Sequence, residues 1–287
     1  NDSFIELKVT TMINSSKDHR LQASILIADI RNFTPNLKDS EASQSMHSIF
    51  HQFLSDFYSC CVACCTLACG SDDKKSLYIN STGDGILSVF LSRRHYMDAF
   101  LAGIILFNKL PSLFNKYNHR KHKRIADVSF GIGIESGNVW RVTSDAKASH
   151  QPQIETYIGD CINIASRVES VTKEHDRTTL IISEQIDELL CERLCGAHYH
   201  DLMKDATNFS LPAGHRKKIW EKMYELDERL LLRFISAYNL RGVSKPVRLF
   251  RLSPTLATPA RKECQKVLKG LAVNASHYQA INQFLKS

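Results

Sequence analysis

The chain has 287 residues, 43% of them hydrophobic, enough to bury a sizeable core and too many for a disordered chain. Its 37 basic against 30 acidic residues give a net charge of +7, which suits a nucleotide, a nucleic acid or a membrane surface without choosing among them. The longest apolar run, Ala99 to Phe107, is far short of the ~20 residues of a membrane span, and no basic-then-apolar leader is visible, so a cytoplasmic protein is expected.

A first strand is predicted over Ala23 to Asp29, where the stretch ILIADIRNFTP carries an apolar run straight into a carboxylate and a turn. Charge is costly to desolvate there, so Asp29 either caps the turn or meets something cationic. A helix follows from about Glu41 to Cys69, ending in CCVACCTLAC. Cysteines one, four and five apart share one helix face, and one helical turn cannot easily wrap four sulfurs around zinc. They are expected to be reduced and to face the core. LYINST-GD-GILSVFL is a hairpin with Gly83 and Asp84 at its bend. A second helix spans about His95 to Tyr117, and the basic run His119 to Arg124 is a solvated turn.

Ala126 to Val139 then gives a strand and turn whose glycines alternate with isoleucine, as close backbone packing requires. Glu155 to Glu174 passes from an extended stretch into a helix, and Thr178 to Leu190 from a buried strand into a short one. Cys195, His198 and His200 look like metal ligands but are taken as structural. Residues His198 to Asn239 are polar, helix-rich and without clean β pattern; a last strand pair is expected near Tyr238 to Leu252 and a terminal helix over Arg261 to Lys286. The order βαββαβ, then αβ, is an α+β plan of the ferredoxin-like or palm type. One catalytic-sized domain is expected over 1–254, with an insertion at about 198–238 and a helical tail over 255–287.

In such a sheet the first strand lies beside the hairpin, so Asp29 and Asp84 could converge over one sheet end. Converging oxygens suit Mg2+ or Mn2+, although a turn cap and a hairpin bend explain each aspartate alone. The turn RNFTP opens toward a helix and could present N–H groups to an anion. Asn163 and Arg167, four apart in NIASRVES, share a helix face and could hold a sugar oxygen and a phosphoryl group, or simply face solvent.

Five motifs, IADIRNFT, STGDGILSVF, FGIGIESGNV, IGDCINIASRVES and LRGVSKPVRLF, stand in the order and spacing of class III nucleotide cyclase catalytic domains. Over about residues 20 to 252 the chain resembles that family. The resemblance implies that Asp29 and Asp84, helped by the Ile30 carbonyl, hold two Mg2+ or Mn2+ ions, and that Asn32, Phe33 and Thr34 hold phosphates. It implies that Asn163 and Arg167 stabilise the transition state. Arg241, where the family usually has lysine, would grip the triphosphate. The implied reaction is in-line attack of the ribose 3′-hydroxyl on the α-phosphorus, with pyrophosphate leaving. The family works as head-to-tail dimers, one subunit bringing the aspartates and the other the asparagine and arginine. This chain carries both sets, so a homodimer with interface sites is implied.

The base-selecting positions depart from the family. Adenylate cyclases commonly place lysine four residues before the second aspartate, and aspartate or threonine seven before the asparagine; guanylate cyclases use glutamate and cysteine. Here the residues are Asn80 and Thr156, each able to donate and accept, so neither purine is demanded. With no fused sensor expected, the chain is similar to the bacterial pyrimidine cyclases of anti-phage signalling, which make cyclic UMP or cyclic CMP for a separate effector. UTP is favoured over CTP, and an adenylate cyclase acting on ATP is the alternative. An inactive nucleotide-binding module would be expected to lack some of Asp29, Asp84, Asn163 and Arg167. A nucleic-acid-binding palm domain fits the charge but lacks aromatic residues interleaved with basic ones.

Overall fold

β1 (Arg20–Ile30) is the strand from which the rest is placed, because its alternating side chains serve both faces of the sheet. Ala23, Ile25 and Ile27 face one side, while Leu26, Ala28 and Ile30 join the larger core on the other. The computed structural model describes residues 20–41, 44–70, 76–118, 128–143, 155–175, 178–196 and 199–287. The basic run at 119–124 and His198 lie outside the described residues.

The chain continues through α1 (Phe33–Glu41) and α2 (Gln44–Cys69) into the hairpin of β2 (Leu77–Ser81) and β3 (Gly85–Phe90), then α3 (His95–Asn118) and β4 (Phe130–Thr143). β5 (Glu155–Ile158), α4 (Asp160–Val171), β6 (Thr179–Ser183) and α5 (Glu184–Leu190) follow. Next come α6 (Tyr199–Ala206), α7 (Ala213–Arg229), β7 (Leu232–Tyr238), β8 (Val247–Leu252), α8 (Lys262–Leu271) and α9 (Ala275–Lys286). The strands form one sheet in the order β2-β3-β1-β4-β6-β8-β7, with β5 beside the far end of β4. β1 is antiparallel to both β3 and β4, and β4 is parallel to β6, so this is the expected α+β plan with β1 next to the hairpin.

The core lies between the sheet and helices α2 and α3. Phe53 is its hub, with ring centroids 5.5 Å from Phe114 and 5.3 Å from Tyr117. Cys61, Cys64 and Cys65 are fully buried there, as the helix-face spacing predicts, Cys60 and Cys69 are half-buried, and none of the nine cysteines is in a disulfide. Met46–Cys69 and His95–Tyr117 are long and apolar enough, by length and composition alone, to cross a membrane. Both contribute residues to this core, His95–Tyr117 with 67% of its apolar window buried and Met46–Cys69 with 33%.

Three elements differ from the sequence reading. The turn after Asp29 becomes α1 directly, anchored where the Phe33 ring meets Phe50 of α2 at 5.4 Å. β7 falls inside the stretch expected to lack strands; it is an edge strand with only Leu232 fully buried, so little alternation marks it. The terminal helix is two helices, because Ala272 is extended and the Asn274 side chain accepts from the His277 N–H to begin α9. Both pack on the domain: Arg94 donates to the Leu271 carbonyl, and the His277 ring meets the Leu67 carbonyl at 2.6 Å.

Candidate active site

Asp29 stands at the end of β1 between two glycines, paired with Gly85 on one side and Gly131 on the other. Both must be glycine for steric reasons. A Cβ on Gly85 would press on the Ala28 carbonyl and lie 3.1 Å from Asp29 Oδ1, and one on Gly131 would press on Thr172 Oγ1 and lie 2.5 Å from Glu169 Oε1. Space is thereby kept on both flanks of the carboxylate. Asp84 arrives from the hairpin bend, where Gly83 takes φ 93°, and its carbonyl accepts from the Ile30 N–H at 2.9 Å. That bond ties the hairpin tip to the end of β1, so the expected convergence of the two aspartates over one sheet end is what the structure shows.

The turn is built by the residues after Ile30. Asn32 adopts φ 60°, a left-handed conformation asparagine tolerates, and its carbonyl accepts from the Asn36 side-chain amide at 2.7 Å. Helix α1 then starts at Phe33, with Pro35 in the first turn where its missing N–H costs nothing. The first residues of α1, Phe33 to Pro35, line the same cleft as the two aspartates. Arg31, which also lines the cleft, donates to the carbonyls of His175 (2.5 Å) and Thr172, holding the segment after α4 against this turn. Asp29, Ile30, Asn32, Phe33, Thr34 and Asp84 thus line one open cleft of about 590 Å³.

Two residues that sequence reasoning did not single out complete the cleft. Glu169 of α4 is buried, and Lys173 bridges it to Asp29, with Nζ 3.4 Å from Asp29 Oδ2 and 3.7 Å from Glu169 Oε2. Burial, then the charges of Glu169 and Asp84, push the Asp29 carboxyl up to about 6, with Lys173 pulling the other way. Glu169 is likewise raised, chiefly by burial. Carboxylates crowded against a tethered ammonium form a site that favours a cation, and an all-oxygen donor set suits Mg2+ or Mn2+. The glycine at 131 was the available signal for Glu169, since the residue it makes room for had to come from a facing helix.

The other sequence-derived residues do not line this cleft. Asn163 is exposed on α4, and Arg167, one turn on, sets its guanidinium against Gly242 in the turn between β7 and β8. Arg241 is exposed in that same turn, which packs on α4 through Leu240 and Val243 against Val168 and Ile164. Asn80 is exposed on β2 and Thr156 half-buried on β5; the strands meet where the Tyr78 and Tyr157 rings lie 5.1 Å apart. The glycines of GIGIESG have the packing role expected, as a Cβ on Gly133 would lie 2.6 Å from the Ala165 carbonyl of α4.

Comparison with known proteins gives a consistent result. The chain superposes on the adenylyl cyclase CyaB from P. aeruginosa with a TM-score of 0.53 at 15% identity, covering 85% of this chain and 97% of that one. For the guanylyl cyclase Cya2 the TM-score is 0.52 at 18% identity, over 81% and 92% of the two chains. The fold is that of these cyclases. In sequence the chain is 31% identical over 172 residues to an adenylate cyclase of Anabaena cylindrica, taking in 58% of this chain and 31% of that relative. No family model matches the chain.

Proposed function

We propose that this chain is a nucleotide cyclase, converting a nucleoside triphosphate to its 3′,5′-cyclic nucleotide and pyrophosphate as a homodimer. The carrying observation is the cleft where Asp29 and Asp84 meet the start of α1, with Asn163 and Arg167 outside it on α4. A single copy therefore supplies two half-sites that a second copy would complete. The cyclase fold and the Anabaena cylindrica relative support the reading.

In this reading Asp29, Asp84 and the Ile30 carbonyl hold divalent ions, Mg2+ or Mn2+, with Glu169 behind them. Such ions, when bound, acidify the ribose 3′-hydroxyl and neutralise phosphate charge. The N–H groups at Asn32, Phe33 and Thr34 receive phosphate oxygens. Across the interface Asn163 orients the ribose, and Arg167 spreads its planar fork over the phosphoryl group as charge develops. Arg241 takes the triphosphate tail, and Lys173 is the counter-charge that bound cations would replace beside Asp29 and Glu169.

For the base, we read Asn80 and Thr156 as selecting a pyrimidine, UTP ahead of CTP. Neither position carries a fixed charge, and a site that pairs polar groups discriminates strongly. The product would then signal to a separate effector, as in antiviral defence. ATP is the second reading, favoured by the adenylate cyclase relative.

The test is to incubate the protein with Mn2+ and each of ATP, GTP, CTP and UTP separately and identify products by mass. Cyclic UMP as main product is expected; cyclic AMP would replace the first base assignment with the second. No cyclic nucleotide from any substrate would overturn the cyclase reading. Asp29→Ala and Arg167→Ala should each abolish turnover, and mixing the two should restore part of it. Absence of rescue would argue against shared sites.

A further inference from the structure

Away from the candidate site, the chain between α5 and α6 makes a turn of unusual width. Over Cys191–Cys195 the helix widens, and the Gly196 N–H closes on the Cys191 carbonyl, five residues back. Gly196 itself takes φ 63°, ending the helix. In such a turn side chains four apart come nearly into line, and wide turns of this kind recur at functional sites. Cys191 and Cys195 are those side chains, and each thiol is the leading influence on the other's acidity.

The two sulfurs have opposite surroundings. Cys191 is fully buried, with Asp187 Oδ1 4.0 Å from its sulfur and the Asp227 carboxylate in the same cluster. The neighbouring Cys195 thiol, burial and these negative charges hold it as a neutral thiol. Cys195 is half-buried and opens into a cleft of about 550 Å³, lined also by Arg229, Lys266 and Glu263. The neighbouring Cys191 thiol and the Arg229 charge bring its thiol down to about 7, against burial. An accessible thiolate beside a protonated partner is the arrangement of a peroxide-sensing pair.

We propose that Cys195 and Cys191 form a redox modification site, Cys195 reacting with a hydroperoxide and Cys191 resolving the product to an intrachain disulfide. The Cys195 thiolate attacks one peroxide oxygen, the O–O bond breaks, and the leaving hydroxide takes a proton from solvent. A sulfenic acid and water result for hydrogen peroxide. Cys191 sulfur then attacks the Cys195 sulfur and the S–O bond breaks. The Cys191 proton, on a sulfur 4.0 Å from Asp187 Oδ1, passes to the departing hydroxide. In sum, two thiols and one peroxide give one disulfide and two waters. The bond would lock the wide turn where Leu194 packs against Gly270 of α8, so oxidation reaches the C-terminal helices.

A convenient cleavage site tests this on the whole protein. Arg193 lies between the two cysteines, so trypsin separates residues 178–193 from residues 194–204 unless a disulfide joins them. After brief hydrogen peroxide treatment and alkylation, the joined peptides should appear by mass. The competing pair Cys60 and Cys64, 4.0 Å apart, stays within one tryptic peptide and is distinguished by a loss of about 2 Da. Cys191→Ser should leave a sulfenic acid at Cys195 that dimedone traps, and Arg229→Gln should slow bridging about threefold or more. Modification of Cys60 or Cys69 ahead of Cys195 would overturn the proposal. So would a wild-type protein that carries zinc on this cluster and resists peroxide.

Discussion

Replacing Asp29 by asparagine should stabilise the ion-free protein while abolishing its turnover. Burial, Glu169 and Asp84 together raise the Asp29 carboxyl from 3.8 to about 6 despite Lys173. A carboxylate raised on folding favours the folded state when protonated and costs stability once ionised. The cost is absent below pH ~4, builds between about 4 and 6, and is complete near neutrality. A rise of this size corresponds to about 3 kcal/mol. Because the group keeps contact with solvent, about 1–2 kcal/mol is the better expectation. At about 2–4 °C per kcal/mol, the Asp29→Asn protein should melt about 2–8 °C above wild type near pH 7.5 in chelator. Near pH 4.5 the difference should shrink toward zero. Mn2+ should raise the wild-type midpoint and leave the variant's almost unmoved. A variant melting at or below wild type near pH 7.5 would refute the view that Asp29 is held in an unfavourable place for a cation's sake.

Gly133→Ala should cost about 2–3 kcal/mol in urea unfolding and reduce turnover, because the new Cβ meets backbone of α4 at Ala165 and Glu169 and must push the helix bearing Arg167. A neutral effect would mean that α4 can shift freely. Glu135, whose burial pushes its carboxyl up to about 7 though it accepts from the Ser136 N–H at 2.7 Å, should cost stability increasingly as pH rises from about 4.5 to 7. Glu135→Gln should therefore gain over wild type near pH 8 and lose that gain near pH 5; a pH-independent difference would count against this. Phe53→Ala, at the hub of the aromatic core, should lose about 3–5 kcal/mol by chemical denaturation, and a loss under about 1 kcal/mol would show that the rings around it close the gap.

Much of the architecture was legible because local patterns carried it. An apolar strand ending in Asp29, a Gly-Asp bend, and cysteines spaced for one helix face each express a rule that operates over a few residues. β7 and the break between α8 and α9 were not legible, since an edge strand needs little apolar alternation and a helix break can rest on one capping asparagine. The residues around the candidate site divide in the same way. Asp29, Asp84 and the RNFT turn were readable from their position at chain reversals, whereas Glu169 and Lys173 looked like ordinary polar positions on a helix end. Only the packing of α4 on Gly131 and Gly133, with Arg31 drawing Thr172–His175 inward, sets them beside Asp29. The wide turn pairing Cys191 with Cys195 was likewise hidden, because spacing of four reads as ordinary helix.

The sequence by itself determined most of the order of strands and helices, the aspartates at the chain reversals, and the placing of Asn163 and Arg167 one turn apart on a helix. Those are properties of short segments, governed by periodicity and turn chemistry. Tertiary structure decided which charges share a cleft, which carboxyl is raised, and that Asn163 and Arg167 stand apart from Asp29 and Asp84. Electrostatic energy depends on distance and burial, and both are set by how α4 seats on the sheet rather than by any spacing along the chain.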